Sequence, residues 1–216
     1  MSEKPAGQRP ELADFWDQRF RSGTTPWEAG QAPRELREFA LAYPPAAAGD
    51  QAAAAGSAPT HPPRVLIPGC GSAWDAALLD RQGWDTTALD FSAAAIETAR
   101  ATLGDAWRGR LLRADFFSFA AGTTYDLIYE RAFLCALPRH LWPDYARRVA
   151  ELLSAGGLLA GYFFFSGEPK GPPFGILPEQ LAGLLAPHFV RRADRPVAES
   201  LPVFAGRERW QVWQRR

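Results

Sequence analysis

The sequence has only two cysteines, Cys70 and Cys135, among its 216 residues. Two thiols cannot build the disulfide framework of a small secreted protein, and no Cys and His residues recur at the spacing of a zinc site. The longest strongly apolar stretches, such as residues 158–165, are far shorter than the roughly 20 residues that cross a bilayer. The N-terminal residues also lack the apolar core of a signal peptide. These absences predict a protein of the reducing cytoplasm.

An excess of charge of one sign is absent as well, because 24 Lys and Arg residues balance 24 Asp and Glu residues. Such a chain has no overall field that would draw it onto nucleic acid or an anionic membrane. With 47% hydrophobic and 22% charged residues, it has the composition of a globular protein with a sizeable core. We therefore expect a small-molecule partner, no nucleic acid, no membrane and a monomeric chain.

The length of the chain fits one large domain with appendages. Large apolar residues recur at helical spacing from Glu11 to Arg21, and a second helix is predicted after Pro33. A stretch rich in Ala, Gly and Pro follows, without a sustained period. The predicted parts are a flexible tail (1–10), an N-terminal helical cap (11–43), a linker (44–63) and a core (64–216).

The core sequence alternates short apolar runs with amphipathic stretches, as βαβ folds do. The predicted strands are residues 64–68, 85–89, 110–113, 125–129, 158–165, 189–192 and 208–213. The predicted helices are residues 73–82, 93–103 and 143–153, with one more after residue 178. We expect the helix that begins at Pro143 to end at Gly156-Gly157. The fold is predicted to be α/β and Rossmann-like: a mostly parallel seven-stranded sheet, helices on both faces and an antiparallel strand at the C-terminal end.

The strongest chemical signal is the run Val65-Leu66-Ile67-Pro68-Gly69-Cys70-Gly71-Ser72, a buried strand that breaks into a glycine turn and then a helix. Bare backbone makes such a turn tight and lets a ligand lie against it. Asp90 stands about 20 residues further on, after the next strand, where a carboxylate accepts the ribose hydroxyls. Trp74 occupies the place of the third glycine of a dinucleotide fingerprint, which favours S-adenosylmethionine over NAD. A strand-to-helix turn without a ligand is the alternative.

Further landmarks are spread over the chain between Phe15 and Trp213. They are Phe15-Trp16-Asp17, Thr25-Pro26-Trp27-Glu28, the glycine turn, Ala114-Asp115-Phe116-Phe117, residues 125–137 and Gly171-Pro172-Pro173-Phe174. In this order and spacing they resemble the thiopurine methyltransferase family, especially its plant and bacterial branch of thiol, thiocyanate and halide methyltransferases. The resemblance implies a class I methyltransferase that uses S-adenosylmethionine and releases S-adenosylhomocysteine.

The resemblance also implies a set of cofactor-binding residues. They are Trp16, Phe20, Trp27, Gly69, Cys70, Gly71, Asp90, Phe91, Asp115, Phe116 and Arg131. Aromatic faces suit a sulfonium, because a desolvated cation over a ring gains up to about 2 kcal/mol. Asp115 would accept a hydrogen bond from the adenine amino group, and Phe116 would stack on the base. The alternatives are a core role for Phe20, a turn cap at Asp115 and a salt bridge at Arg131.

On the acceptor side the predicted contacts are Phe15, Arg131, Pro173 and Phe174. No residue is assigned as catalytic; Arg131 is a candidate contact to the methionine carboxylate or to an anionic acceptor. Cys70 and Cys135 are not expected to act as nucleophiles, since no His or Asn is placed nearby in the sequence.

The predicted reaction is methyl transfer to a small soft nucleophile, first of all the sulfur of a thiol, thiopurine or thiocyanate. Such acceptors bring their own anion, which fits a sequence with no obvious general base; His140 and His188 are expected at the surface or in loops. The alternatives are an O- or N-methyltransferase of a small metabolite and a protein that binds an adenosyl ligand without catalysis.

Overall fold

The computed structural model describes residues 9–43 and 62–216. Residues 1–8 of the predicted tail and 44–61 of the predicted linker lie outside the described residues. The helices are α1 (Ala13–Arg21), α2 (Arg34–Ala42), α3 (Trp74–Arg81), α4 (Ala93–Leu103), α5 (Trp142–Leu152) and α6 (Pro178–Leu185). The strands are β1 (Arg64–Pro68), β2 (Asp85–Asp90), β3 (Arg110–Arg113), β4 (Tyr125–Arg131), β5 (Leu153–Phe164), β6 (Phe189–Pro196) and β7 (Glu208–Arg215).

The strands form one sheet in the order β3-β2-β1-β4-β5-β7-β6. Strands β1 to β5 pair in parallel, and β7 runs antiparallel to both β5 and β6. The predicted α/β fold, with its mostly parallel sheet and antiparallel C-terminal strand, is confirmed. The direction of the strand order reverses between β1 and β4, and the carboxyl ends of strands beside such a reversal are where open α/β sheets bind ligands.

Alternate residues of the strands supply the two faces of the sheet, as a period of two requires. In β4, Ile128 packs in the core with Tyr145 and Val149 of α5. Its neighbours Leu127 and Tyr129 belong to the opposite core, which contains Leu36 of α2 and Leu79 of α3. The N-terminal cap therefore shares the core of the sheet. Within the described ranges no helix is long and apolar enough to span a membrane.

The segment after α5 differs from the prediction. The helix ends at Leu152, and Gly156-Gly157 lie inside β5 instead of ending the helix. The reason is tertiary pairing: Leu153 already pairs with Tyr125, and the register shifts before Leu158 pairs with Leu127. Gly156, with φ +76°, lets the backbone pass through this irregularity. Two short 3₁₀ helices after β4, Leu134–Ala136 and Arg139–Leu141, were also not predicted.

Two buried carboxylates dock the cap on the core. Asp17 of α1 accepts hydrogen bonds from the Ser92 hydroxyl at 2.6 Å and from the Ala94 backbone N–H at 3.0 Å, at the start of α4. Glu35 of α2 accepts from the Tyr162 hydroxyl at 2.6 Å and from the Ala198 N–H at 2.8 Å. Each cap helix is therefore fixed to a different part of the core, and the segment between the helices lies over the carboxyl end of β1.

Candidate active site

The turn after β1 is tight because its glycines adopt positive φ angles, +58° at Gly69 and +51° at Gly71. Neither glycine could carry a side chain without a collision. A Cβ on Gly69 would overlap the Phe133 ring, and a Cβ on Gly71 would lie 2.5 Å from Oε1 of Glu28. The backbone of the turn therefore lies against Phe133, in the loop that follows β4, and against Glu28 of the cap.

Asp90 stands at the end of β2, beside this turn. Its Oδ2 accepts a hydrogen bond from the Gly71 N–H at 3.2 Å, and its Oδ1 accepts from the Ser92 N–H at 2.9 Å. Burial raises the pKa of its carboxyl to about 6, and the nearby Glu28 carboxylate acts in the same direction. The two backbone bonds fix the orientation of the carboxylate beside the turn, and its contact with a ribose stays a prediction.

A cavity of about 690 Å³ opens above the turn, a size typical of small-molecule sites. The cap, the ends of β1, β2 and β4, and the loops around residues 172 and 204 form its wall. The predicted site residues that line it are Trp16, Phe20, Trp27, Gly69, Cys70, Gly71, Asp90, Phe91, Asp115, Phe116, Arg131 and Pro173. The structure therefore brings together residues that are far apart in the sequence.

Phe15 and Phe174, predicted as acceptor contacts, are not among the described residues that line the cavity. Phe15 is buried, packs edge-on against Trp16 and carries the Arg19 guanidinium 3.8 Å from its ring centroid. Phe174 donates its backbone N–H to the Cys135 carbonyl at 2.6 Å. Both rings are used in packing instead, that of Phe15 against Trp16 and that of Phe174 against the core cluster that contains Tyr145.

An aromatic wall, formed by Trp16, Phe20 and Trp27, covers the cavity from the cap. Trp27 meets Trp16 edge-on at a centroid distance of 5.4 Å and Phe20 at 6.1 Å. The indole of Trp16 is fixed by donating its Nε1–H to the Pro10 carbonyl at 2.7 Å. Ring faces of this kind attract a desolvated cation.

Asp115 and Phe116 follow β3 and reach the cavity from its other side. Asp115 is exposed and also caps its own turn: it accepts from the Phe117 N–H at 3.0 Å and from the Ser118 hydroxyl at 3.2 Å. A carboxylate has capacity for further donors, so the turn cap and the adenine contact are compatible. Phe116 is buried and is edge-on to Phe133 at 5.2 Å.

Arg131 ends β4 and lines the cavity while it is paired with Asp75 of α3. The nitrogen-to-oxygen distance is 3.4 Å, and the side chains are only 16% and 14% exposed. Burial raises the pKa of Asp75 to about 6, against the opposing effect of Arg131. The salt bridge foreseen as the alternative is present, and it holds the guanidinium at the cavity instead of withdrawing it.

The comparison with known proteins identifies the family. The family model described as thiopurine S-methyltransferase matches residues 12–216. The chain belongs to the thiopurine S-methyltransferase family. It is 29% identical to a thiopurine S-methyltransferase of Bordetella petrii, over 90% of this chain and 92% of the relative. It is 26% identical to thiocyanate methyltransferase 1 of Brassica oleracea, over 80% of this chain and 71% of the relative.

Solved structures show the same fold. A 1,6-didemethyltoxoflavin-N1-methyltransferase of Burkholderia thailandensis, solved with 1,6-didemethyltoxoflavin and S-adenosylhomocysteine, matches with a TM-score of 0.68 at 19% identity. The match covers 99% of this chain and 93% of that one. The present member of the thiopurine S-methyltransferase family is thus an S-adenosylmethionine-dependent methyltransferase of class I fold.

The site of this family member fits the cofactor. The glycine turn has no Cβ that would fill the space beside its backbone, and Asp90 is oriented by two N–H groups. The aromatic wall suits the sulfonium, and Arg131 suits the methionine carboxylate. The residues present therefore match the chemically distinct parts of S-adenosylmethionine.

Glu28 is a site residue that the sequence analysis did not single out, although it belongs to a segment used for the family resemblance. Its Oε1 accepts the Ser72 N–H at 3.1 Å, and it lines the cavity. Burial raises the pKa of its carboxyl. An acidic residue directly after the cap tryptophan Trp27 was the available signal. Arg19, Val203 and Phe204 also line the cavity and were not predicted.

The side chains considered as nucleophiles or bases are poorly suited to those roles. Cys70 and Cys135 are unpaired, and burial raises the pKa of each thiol well above its ordinary value. His140 and His188 are exposed, and neither is among the described residues of the wall. The acceptor must therefore meet a site without a cysteine thiolate or a histidine in its described wall.

Proposed function

We propose that this enzyme methylates the sulfur of a small soft nucleophile: a thiol, a thiopurine or thiocyanate. The observation that carries the proposal is that the described wall of the cavity holds no histidine and that burial raises the pKa of both of its cysteine thiols, so an acceptor that is already ionised fits it best. The names of the relatives in Bordetella petrii and Brassica oleracea, a thiopurine and a thiocyanate methyltransferase, support the same acceptor class.

When bound, S-adenosylmethionine supplies a methyl group on a positively charged sulfur. Asp90 would hold the ribose, and Asp115 and Phe116 would hold the adenine. The aromatic wall from the cap excludes water from the reacting centre, which favours a reaction between opposite charges. Alignment of the two reactants in such a site contributes roughly 7–11 kcal/mol to lowering the barrier. In this proposal the protein accelerates the reaction by closure and orientation.

A thiolate or thiocyanate needs no proton removed by the enzyme. Glu130, the carboxyl nearest in sequence to Arg131, is not among the residues of the described wall. It is fully engaged, accepting from the N–H groups of Phe133 and Leu134 and from the Tyr145 hydroxyl. A hydroxyl acceptor with a pKa far above neutrality would lack a histidine base, which argues against the alternative of an O-methyltransferase.

The test is the pH dependence of kcat/KM with a series of thiols whose pKa values differ by about two units. The midpoint should follow the pKa of each thiol, because the thiolate is the reactive species. At neutral pH, kcat/KM should be higher for aromatic and heterocyclic thiols than for aliphatic thiols. A single midpoint for the whole series would require an enzyme base and contradict the proposed mechanism.

The same assay separates the remaining alternatives. Methylation of a phenol or an amine, with no thiol, thiopurine, thiocyanate or halide accepted, would establish an O- or N-methyltransferase. Cofactor binding without release of S-adenosylhomocysteine for any acceptor would indicate a binding protein.

We also propose that the enzyme acts as a monomer in the cytoplasm on small molecules. Unpaired cysteines and balanced charge support this. Light scattering at assay concentration tests the monomer, and a stable dimer mass would contradict it.

A further inference from the structure

The cap places a buried carboxylate directly on the glycine turn. Glu28 lies between α1 and α2, and its Oε1 accepts the backbone N–H of Ser72. The preceding amide of the turn, the Gly71 N–H, is donated to Asp90. Two consecutive N–H groups thus orient two carboxylates from different parts of the chain, both at the wall of one cavity.

The three carboxylates beside the turn differ in their partners. Asp75 is paired with Arg131, and Asp90 is satisfied by two backbone N–H groups. In the part of the chain that the structure describes, no Lys, Arg or His nitrogen is recorded within 4.0 Å of a Glu28 oxygen. Burial raises the pKa of the Glu28 carboxyl, against the opposing effects of Ser72 and of the more distant Arg131. A cationic ligand group beside Glu28 would reduce the remaining cost of burying a negative charge.

The positions of Asp90, Glu28 and Arg131 around the turn indicate which cationic group of the ligand lies beside Glu28. Asp90 lies on the β2 side, where it takes the ribose, and Arg131 on the β4 side, where it suits the methionine carboxylate. Glu28 binds the turn backbone that follows β1, the strand between them. Strand β1 itself brings no carboxylate here, since it ends in Ile67-Pro68.

We infer that Glu28 binds the ammonium group of the methionine end of S-adenosylmethionine and of S-adenosylhomocysteine. The cap then contributes a charged cofactor contact in addition to its aromatic wall. The inference rests on the cofactor assignment and is independent of the acceptor, because both ligands carry this ammonium. Failure of sulfur methylation would leave it unaffected.

The test compares Glu28→Gln with the wild type by calorimetry, without acceptor. Glutamine keeps the length of the side chain and an oxygen that accepts the Ser72 N–H, so only the charge is lost. S-adenosylhomocysteine is one probe. The other is 5′-methylthioadenosine, which keeps the adenosine and the sulfur and lacks the amino-acid end. Glu97→Gln, at an exposed position of α4, is the matched control.

Loss of a charge-assisted hydrogen bond should weaken S-adenosylhomocysteine at least about tenfold in Glu28→Gln. The Kd of 5′-methylthioadenosine should stay within about twofold of the wild type, and Glu97→Gln should change neither. Equal weakening of both ligands would overturn the inference, because Glu28 would then act only through the turn or the cap. Unchanged S-adenosylhomocysteine binding would overturn it too.

Two further outcomes of the binding experiment bear on the inference. If S-adenosylmethionine alone weakened in Glu28→Gln, the charge would face the sulfonium and the ammonium assignment would be wrong. If Glu28→Gln showed no cooperative unfolding transition, Glu28→Asp would be measured with the same ligand pair. Its shorter carboxylate should again weaken S-adenosylhomocysteine selectively, and equal effects on both ligands would overturn the inference.

Discussion

The orientation of the Asp90 carboxylate is set by the fold itself. Its two oxygens each accept one backbone N–H, from Gly71 and from Ser92. We predict that Asp90→Ala weakens S-adenosylhomocysteine binding by about 1.5–3 kcal/mol, since charge-assisted ribose contacts are lost. Calorimetry measures this. Asp85→Ala, at the other end of β2, should bind normally, and an unchanged Kd in a folded Asp90→Ala would remove Asp90 from the site.

Glu130 illustrates a buried carboxyl with a supporting role. It accepts the N–H groups of Phe133 and Leu134 and the Tyr145 hydroxyl, and burial raises its pKa to about 7. Glu130→Ala should lower the free energy of unfolding by about 2–5 kcal/mol, because buried donors lose their acceptor.

Glu130→Gln keeps an acceptor oxygen, so it should cost less than about 1 kcal/mol and leave the pH midpoint of kcat/KM in place. Denaturant unfolding and thiol kinetics measure the pair. A pH midpoint that vanished in Glu130→Gln would assign Glu130 a proton-transfer role that its position does not suggest.

Which site residues the sequence revealed depended on how local their signal was. Gly69, Gly71 and Asp90 were found from spacing alone, because a strand, a turn and the next strand place them within one βαβ unit. Glu28 meets Ser72 across 44 residues of sequence, and no local pattern encodes that contact. Phe15 and Phe174 belong to segments that resemble the family. Whether such a ring lines the cavity or packs in the interior is decided by tertiary packing.

At the scale of the elements, the cap contributes both to the hydrophobic core and to the wall of the cavity. Helix α2 is built into the core through Leu36 and through Glu35, which binds Tyr162. Helix α1 is fixed through Asp17 at the start of α4 and carries aromatic residues to the cavity. Both cap helices are therefore anchored to the core, and α1 also closes the site.

Deletion of residues 1–32 should leave a folded core that no longer turns over, because α2 stays and the aromatic wall is lost. Circular dichroism, thermal unfolding and methyl transfer to a thiol measure the two effects. Asp17→Asn, which weakens the bonds of α1 to Ser92 and Ala94 and removes the ion pair with Arg21, provides the intermediate case and should reduce turnover less. Wild-type turnover in the deletion would contradict the role of the cap in closing the site.

The elements themselves were predictable where their period is local, as in β1, β2 and α4. The start of β5 was not, because pairing of Leu153 with Tyr125 overrides the turn signal of Gly156-Gly157. The position of β7 between β5 and β6 is likewise a tertiary choice. The sequence predicted an antiparallel end of the sheet because no crossover helix fits between Pro196 and Arg207, but it carried no information on which strands the last strand joins.

At the scale of the whole molecule, a chain with no net charge keeps a locally acidic cofactor cavity. Glu28, Asp75, Asp90 and Arg131 lie on the wall beside the glycine turn, and Arg19, Arg147 and Arg148 also line the cavity. The balance of 24 basic and 24 acidic residues is therefore unevenly distributed, with carboxylates buried where a cationic cofactor arrives. Their burial costs free energy in the unliganded protein, and that cost is reduced when the cation binds.

This distribution predicts opposite pH dependences for the unliganded fold and for cofactor binding. Burial raises the pKa of Glu130 to about 7 and those of Asp75 and Asp90 to about 6, whereas the unfolded chain has carboxyl pKa values of about 4. Between these values the folded protein binds more protons than the unfolded chain, so its stability should rise as the pH falls from 7.5 to 5.5. Asp17 and Glu35, whose pKa values are lowered, lose their stabilising effect only at more acidic pH.

Cofactor binding should behave in the opposite way, because a cation and the ribose hydroxyls prefer the ionised carboxylates. The rise in Tm caused by saturating S-adenosylhomocysteine should therefore shrink as the pH falls through about 6, while the Tm of the unliganded protein holds or rises. Differential scanning calorimetry at pH 7.5, 6.5 and 5.5 measures both quantities, and Glu130→Gln should flatten the slope of the unliganded protein without changing that of the ligand effect. An unliganded Tm that fell steadily from pH 7.5 to 5.5 would show that these carboxylates are already ionised without cost, and the acidic cavity would then have no energetic part in cofactor binding.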